Sequence, residues 1–102
     1  MTLNEYQTKA MSTLLPTANN LHYMLYNLQA EVGELTSIFA KAIRDGSYSR
    51  DSVLKELGDV LWQVAGVCHV LDVDMETVAK INVDKLAARK AANTLGGAGD
   101  DR

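Results

Sequence analysis

From residue 21 to 42, and again from 53 to 71, apolar side chains recur at every third or fourth position, which restricts these stretches to helices. At ~100° per residue, Leu21, Met24, Leu28, Val32, Leu35, Phe39 and Ala42 fall on one stripe. Val53, Leu57, Val60, Val64, Val67 and Leu71 form a second stripe. No run sustains a two-residue alternation, so strands have no signal of their own. Local punctuation divides the chain into four helices. Thr2 with Glu5 reads as a capping box opening the first, which runs to about Leu14. Pro16 and the pair Asn19–Asn20 break it from the second, expected from Leu21 to Arg44 and stopped by the glycine of "RDG". The third spans about Asp51 to Leu71, and the fourth, capped by Asp74, runs from Met75 to about Ala92. The closing "LGGAGDDR", residues 95–102, is too glycine-rich for a helix and is either flexible or ordered by a partner. The expectation is one all-α domain over 1–102, of four-helix-bundle type.

Composition narrows the function. A chain of 102 residues buries only about two-thirds of its unfolded surface, so its own core is thin. Its net charge of −3 offers no basic footprint for nucleic acid. A single cysteine, Cys68, excludes an internal disulfide framework and fits a reducing compartment. No apolar run approaches the roughly 18 residues of a membrane span, and the start lacks a signal peptide's apolar segment. The expected address is the cytoplasm, without membrane partners.

The pattern that carries chemistry is "EVGEL" at 31–35, answered by "ELGDV" at 56–60. Glu31 and Glu34 lie along one edge of the first apolar stripe, and Glu56 and Asp59 along the same edge of the second. Antiparallel packing of the two helices sets those edges opposite each other. Four carboxylates on a partly buried rim repel one another and lose hydration. A hard divalent cation removes the conflict, because Mg²⁺ accepts a few carboxylate oxygens and keeps several waters. Neither His22 nor His69 follows a glutamate by three residues, so the E-x-x-H pairs of a di-iron bundle are missing. That points to Mg²⁺, with Mn²⁺ as a substitute. A lone E-x-x-E is usually a solvated helix face, and on pattern alone a metal site and a coincidence both stand. Gly33 and Gly58 each cost a helix about 1 kcal/mol relative to alanine, which a close approach by another helix would explain.

With their flanks, these residues resemble a known family. "LQAEVGEL", "LKELGDVLW", "INVDKLAARK" and the closing "GAGDDR" are similar to short MazG-type nucleoside triphosphate pyrophosphohydrolases. The opening "NEYQTKA" is similar too, so the likeness covers nearly the whole chain. The superfamily's E-x-x-E and E-x-x-D signature maps onto Glu31, Glu34, Glu56 and Asp59. The resemblance implies Mg²⁺-dependent hydrolysis of a (deoxy)nucleoside triphosphate to the monophosphate and pyrophosphate, in nucleotide-pool house-cleaning. It makes the four acids the metal-binding and catalytic set, with Glu34 the proposed general base.

An acid cluster repels a bare triphosphate, so cations must meet the phosphates elsewhere. Asn82, Lys85 and Arg89 sit at i, i+3 and i+7 on the fourth helix, and Lys41 lies two turns after Glu34. In similar proteins the positions of Asn82 and Lys85 help hold metal and phosphate, and the tail lies near a site, which adds Arg102. Trp62 either stacks on a base or packs in the core. The dCTP-selective animal relatives carry a tryptophan near where this chain has Lys41, a departure that weakens any direct transfer of their specificity. Leu25, Leu61 and Cys68 flank the main stripes and call for a second surface. Similar proteins are dimers or dimer-derived tetramers, and a homo-oligomer is expected here. Two other readings stand beside this one: a phosphoribosyl-ATP-type pyrophosphatase, and a non-catalytic helical interaction module.

Overall fold

The computed structural model describes residues 1–101, so Arg102, expected at a phosphate site, lies outside the described residues. Helix α1 is Leu3–Met11, α2 Leu21–Asp45, α3 Arg50–Val70 and α4 Met75–Ala91, with a 3-10 turn at Pro16–Ala18. No strand occurs among the described residues. All four helices start where a side chain can accept an otherwise unpaired backbone N–H. Thr2 and Glu5 form the reciprocal capping box, at 3.1 and 3.2 Å. Asn20, Ser49 and Asp74 accept from the amides of Tyr23, Ser52 and Thr77.

The stops are equally local. Gly46, Asp72 and Asn93 adopt the left-handed conformation, with φ of +87°, +56° and +58°. Behind the latter two, the amides of Val73 and Thr94 reach back to the carbonyls of Cys68 and Arg89, both at 2.9 Å. Helix α1 ends three residues short of the expected Leu14. The Thr13 hydroxyl takes the Ala10 carbonyl and Leu14 closes a tighter turn on Met11, ahead of a proline that cannot continue the ladder.

Helices α2 and α3 form the long antiparallel hairpin. Helix α1 lies across α3, held there by Trp62, whose indole N–H donates to the Ala10 carbonyl (3.1 Å) and to Thr13 Oγ1 (3.0 Å). The turn between α3 and α4 is clamped by α1. Gln7 donates to the Val73 carbonyl at 3.1 Å and accepts from the Met75 amide at 2.7 Å, while Asn4 accepts from the Glu76 amide. Ala10, Ala65, Cys68 and Met75 are the buried cluster, with Tyr6, Met11, Trp62, Val64 and Val73 around them.

Three expectations change here. Cys68 is buried in this cluster rather than left as an unpartnered flank, because α1 and the start of α4 close over that side of α3. Leu25 and Leu61 do remain exposed. Gly33 and Gly58 have open space where a β-carbon would stand, so no helix of this chain approaches them. The close approach is instead at Gly66, where an added β-carbon would collide with the Met24 sulfur and lie 2.8 Å from its methyl. The tail, among the described residues, also has partners within the chain itself: Asp100 folds back onto α4, as described below.

The chain is extended for its size. Its radius of gyration is 16.5 Å, whereas about 13 Å is usual for this length. Its accessible surface of 7228 Å² exceeds the roughly 5,700 Å² expected of a folded monomer of this mass. Much of the surplus is apolar: Val32, Phe39 and Ile43 on α2, Leu54 and Leu57 on α3, and Val78, Ile81 and Leu86 on α4 are exposed.

Candidate metal centre

Halfway along the hairpin, α2 contributes Glu31 and α3 contributes Glu56 and Asp59. One carboxylate oxygen from each lies within 4.8 Å of the others. Glu31 and Glu56 are half-buried and Asp59 is exposed. The three come together because the helices run in opposite directions with a fixed register, and because the i,i+3 spacing stacks Glu56 and Asp59 on one edge of α3.

The electrostatics record the crowding. The Glu31 carboxyl is held above its ordinary value of 4.5, first by loss of hydration and then by the charges of Asp59, Glu56 and Glu34. Glu56 is raised in the same way, by desolvation first and then by Asp59 and Glu34. Such a group would prefer to bind a proton or a cation. Its donors are hard oxygens, with no histidine or cysteine in the group, which suits Mg²⁺ or Mn²⁺ and fits the residues present.

Glu34 stands outside the group of three and is exposed, yet close enough for its charge to act on both Glu31 and Glu56. Two residues near the acids are absent from the sequence-derived set. Tyr6 of α1 has its hydroxyl pushed up in pKa by burial and then by the charge of Asp59. No spacing rule connects residues 6 and 59, since their approach is across helices. Gln63 is buried, and its amide oxygen has no hydrogen-bond partner. It was legible in principle, as a polar residue four positions after Asp59 and seven after Glu56.

The expected phosphate-binding residues are placed elsewhere in the chain. Asn82, Lys85 and Arg89 share α4, but the two cations bond the chain's own tail. One oxygen of Asp100 receives the Lys85 ammonium at 3.0 Å and an Arg89 N–H at 3.1 Å. The same Arg89 nitrogen donates to the Gly99 carbonyl, also at 3.1 Å. Arg89 is 6% exposed, buried beneath this strap. Gly99, with φ of +81°, makes the final bend in the left-handed region that glycine adopts readily. Asn82 is exposed on α4 and Lys41 on α2, where its charge reaches Asp45. Trp62 has its indole N–H engaged by α1, as above.

Comparison with known proteins agrees with the acid geometry. Residues 19–93 match the family described as the MazG nucleotide pyrophosphohydrolase domain, a span that includes all four acids and the cationic strip of α4. The chain is also similar to the "Gene 37 protein" of Mycobacterium phage L5, at 35% identity over the whole of both chains. No solved structure matches significantly.

Proposed function

The chain belongs to the MazG nucleotide pyrophosphohydrolase family, and from that premise we propose that it hydrolyses a (deoxy)nucleoside triphosphate to the monophosphate and pyrophosphate. The observation that supports this best is the convergence of Glu31, Glu56 and Asp59 across the α2–α3 hairpin. These three side chains hold the cation, Mg²⁺ or its substitute Mn²⁺. When bound, the cation supplies neutralisation of phosphate charge and a more acidic water.

Glu34 is the proton acceptor in this reading. Standing outside the group of three, it keeps its lone pairs for a water rather than for the metal. The water oxygen attacks the α-phosphorus, the bond to the α–β bridging oxygen breaks, and Glu34 takes the proton while pyrophosphate leaves. Lys41, Asn82 and Lys85 meet the phosphate oxygens. Arg89 acts through the tail that it anchors. The biological role we assign is removal of unwanted nucleotides from the pool, in the cytoplasm.

The working unit in this proposal is a dimer or a tetramer built from two dimers. Beyond its first turns α4 projects past the α1 clamp, and it carries Lys85 on an arm whose apolar residues Val78, Ile81 and Leu86 lack cover. The surplus surface, about 1,500 Å² per chain, is what one side of an obligate interface covers. A second copy would receive this arm.

The deciding experiment incubates the protein with a panel of nucleoside triphosphates, normal and damaged, with Mg²⁺ or with EDTA. Pyrophosphate and orthophosphate are assayed separately. Pyrophosphate release that stops with EDTA is expected, and release of orthophosphate alone would refute cleavage at the α–β bond.

A further inference from the structure

Gln63 is 3% exposed, and its Oε1 is both buried and without a partner. Buried polar atoms of folded proteins are paired in the great majority of cases, so this oxygen calls for a donor. Its place on α3 says where that donor would be. Seven residues separate Gln63 from Glu56, which returns it to within about 20° of the same helical edge. Four residues separate it from Asp59, and helical side chains lean toward the N-terminus, over the preceding turn. Gln63 therefore lies over the turn that carries Asp59. On the far side, three residues further along α3, Gly66 and Met24 close the space between the helices with apolar atoms.

Gln63 thus stands at the boundary between the acids and the dry core. We propose that it is a positioning residue of this site: its amide oxygen accepts a hydrogen bond from the hydration shell of the cation that Glu31, Glu56 and Asp59 hold. The inference rests on the metal-site reading above. A Mg²⁺ or Mn²⁺ ion held by three carboxylates keeps several waters, whose hydrogens need acceptors on the inner side. A neutral amide meets that need without adding a fifth charge to a cluster that already repels itself. Outer acceptors of this kind fix the coordination shell and are worth 10- to 100-fold in metal affinity where they have been removed.

The test is Mn²⁺ binding by the full chain without nucleotide, followed by electron paramagnetic resonance, with thermal melts in EDTA alongside. Gln63→Met keeps the volume and removes the acceptor. Its Kd for Mn²⁺ should rise about tenfold or more, while its melting temperature in EDTA stays equal to or above that of the parent. Gln63→Glu retains an acceptor and should bind Mn²⁺ at least as tightly as the parent. Gln63→Met that melts lower in EDTA, or fails to fold, would mark the amide as a structural group and overturn the proposal, as would weakened binding by Gln63→Glu. Glu56→Gln separates the two levels of the argument. Should it lose Mn²⁺ while Gln63→Met binds normally, Gln63 has no role toward the metal but the site stands. Should Glu56→Gln bind Mn²⁺ as the parent does, the metal-site reading itself fails, and the proposal with it.

Discussion

Gly66 of α3 faces Met24 of α2 so closely that a β-carbon on the glycine would run into the methionine's thioether. Seven residues on along α2 stands Glu31, and seven back along α3 stands Asp59. Seven residues are two helical turns, so this one apolar contact sets the register that brings the acids face to face. Met24 is fully buried, so its thioether can make room only within the packed interior.

Gly66→Ala should therefore destabilise the chain by about 1–3 kcal/mol, as overpacking does. It should also weaken Mn²⁺ binding, although residue 66 touches no ligand. Denaturant melts and metal titration check both, and a variant with parental stability and parental affinity would separate the register from the contact.

Gly33 and Gly58 are expected to behave in the opposite way. Nothing stands where their β-carbons would go, so Gly33→Ala and Gly58→Ala should each stabilise the helices by up to about 1 kcal/mol. A loss of stability or of assembly size in either variant would show that another chain approaches these glycines.

The raised carboxyls give the metal-free protein a pH dependence of definite sign. For Glu31 and Glu56 the folded state holds protons more tightly than the unfolded state. Stability from these groups is thus greatest at and below their ordinary value of 4.5 and falls as pH rises through their elevated folded values. Melts in EDTA should show this decline above that point, and Glu56→Gln should flatten it. Mg²⁺ should remove it near neutrality by neutralising the same charges.

The tail answers to pH in the other direction. Asp100 is held below its ordinary value of 3.8, first by its hydrogen bond to Lys85 and then by Arg89. Its hold on α4 is complete above that value and disappears as pH falls through the depressed one. At pH 7, Asp100→Asn should release the strap and raise the rate of limited proteolysis between residues 93 and 101. An unchanged cleavage rate would mean that Gly99 and its neighbours hold the tail without the charge.

Light scattering at micromolar concentration should give a mass of two or four chains. The apolar arm of α4 is the surface at stake, and Ile81→Glu should lower that mass while leaving the capped helices formed. A monomer that is fully active on dilution would contradict this.

The helices and caps were legible in the sequence because they depend on neighbours. Thr2, Asn20, Asp74 and Gly46 act within a turn of where they stand, and the i,i+3 acids needed only the helical period to be paired. The degree of burial was not legible. The stripes place Val32, Leu57 and Leu71 inward, yet all three are exposed, while Ala65, Gly66 and Cys68 are buried. That depends on where α1 lands, and α1 is placed by Gln7 bonding to residues 73 and 75 and by Trp62 bonding to residues 10 and 13. Periodicity holds no information about contacts so distant in the chain. The fold-back of Asp100 was not legible for a related reason: glycines indicate freedom, and no spacing rule pairs Arg89 with Asp100 across the turn.

The bonds that Trp62 makes to α1 also divide the order of assembly. The α2–α3 hairpin closes across a four-residue connection, whereas docking α1 joins residues some fifty to seventy apart. Loop-closure entropy delays the second event relative to the first. Trp62 is the chain's one tryptophan, and it sits at the later junction. Its emission during refolding is therefore a clock for the arrival of α1, set after the far-ultraviolet dichroism has already recorded the hairpin.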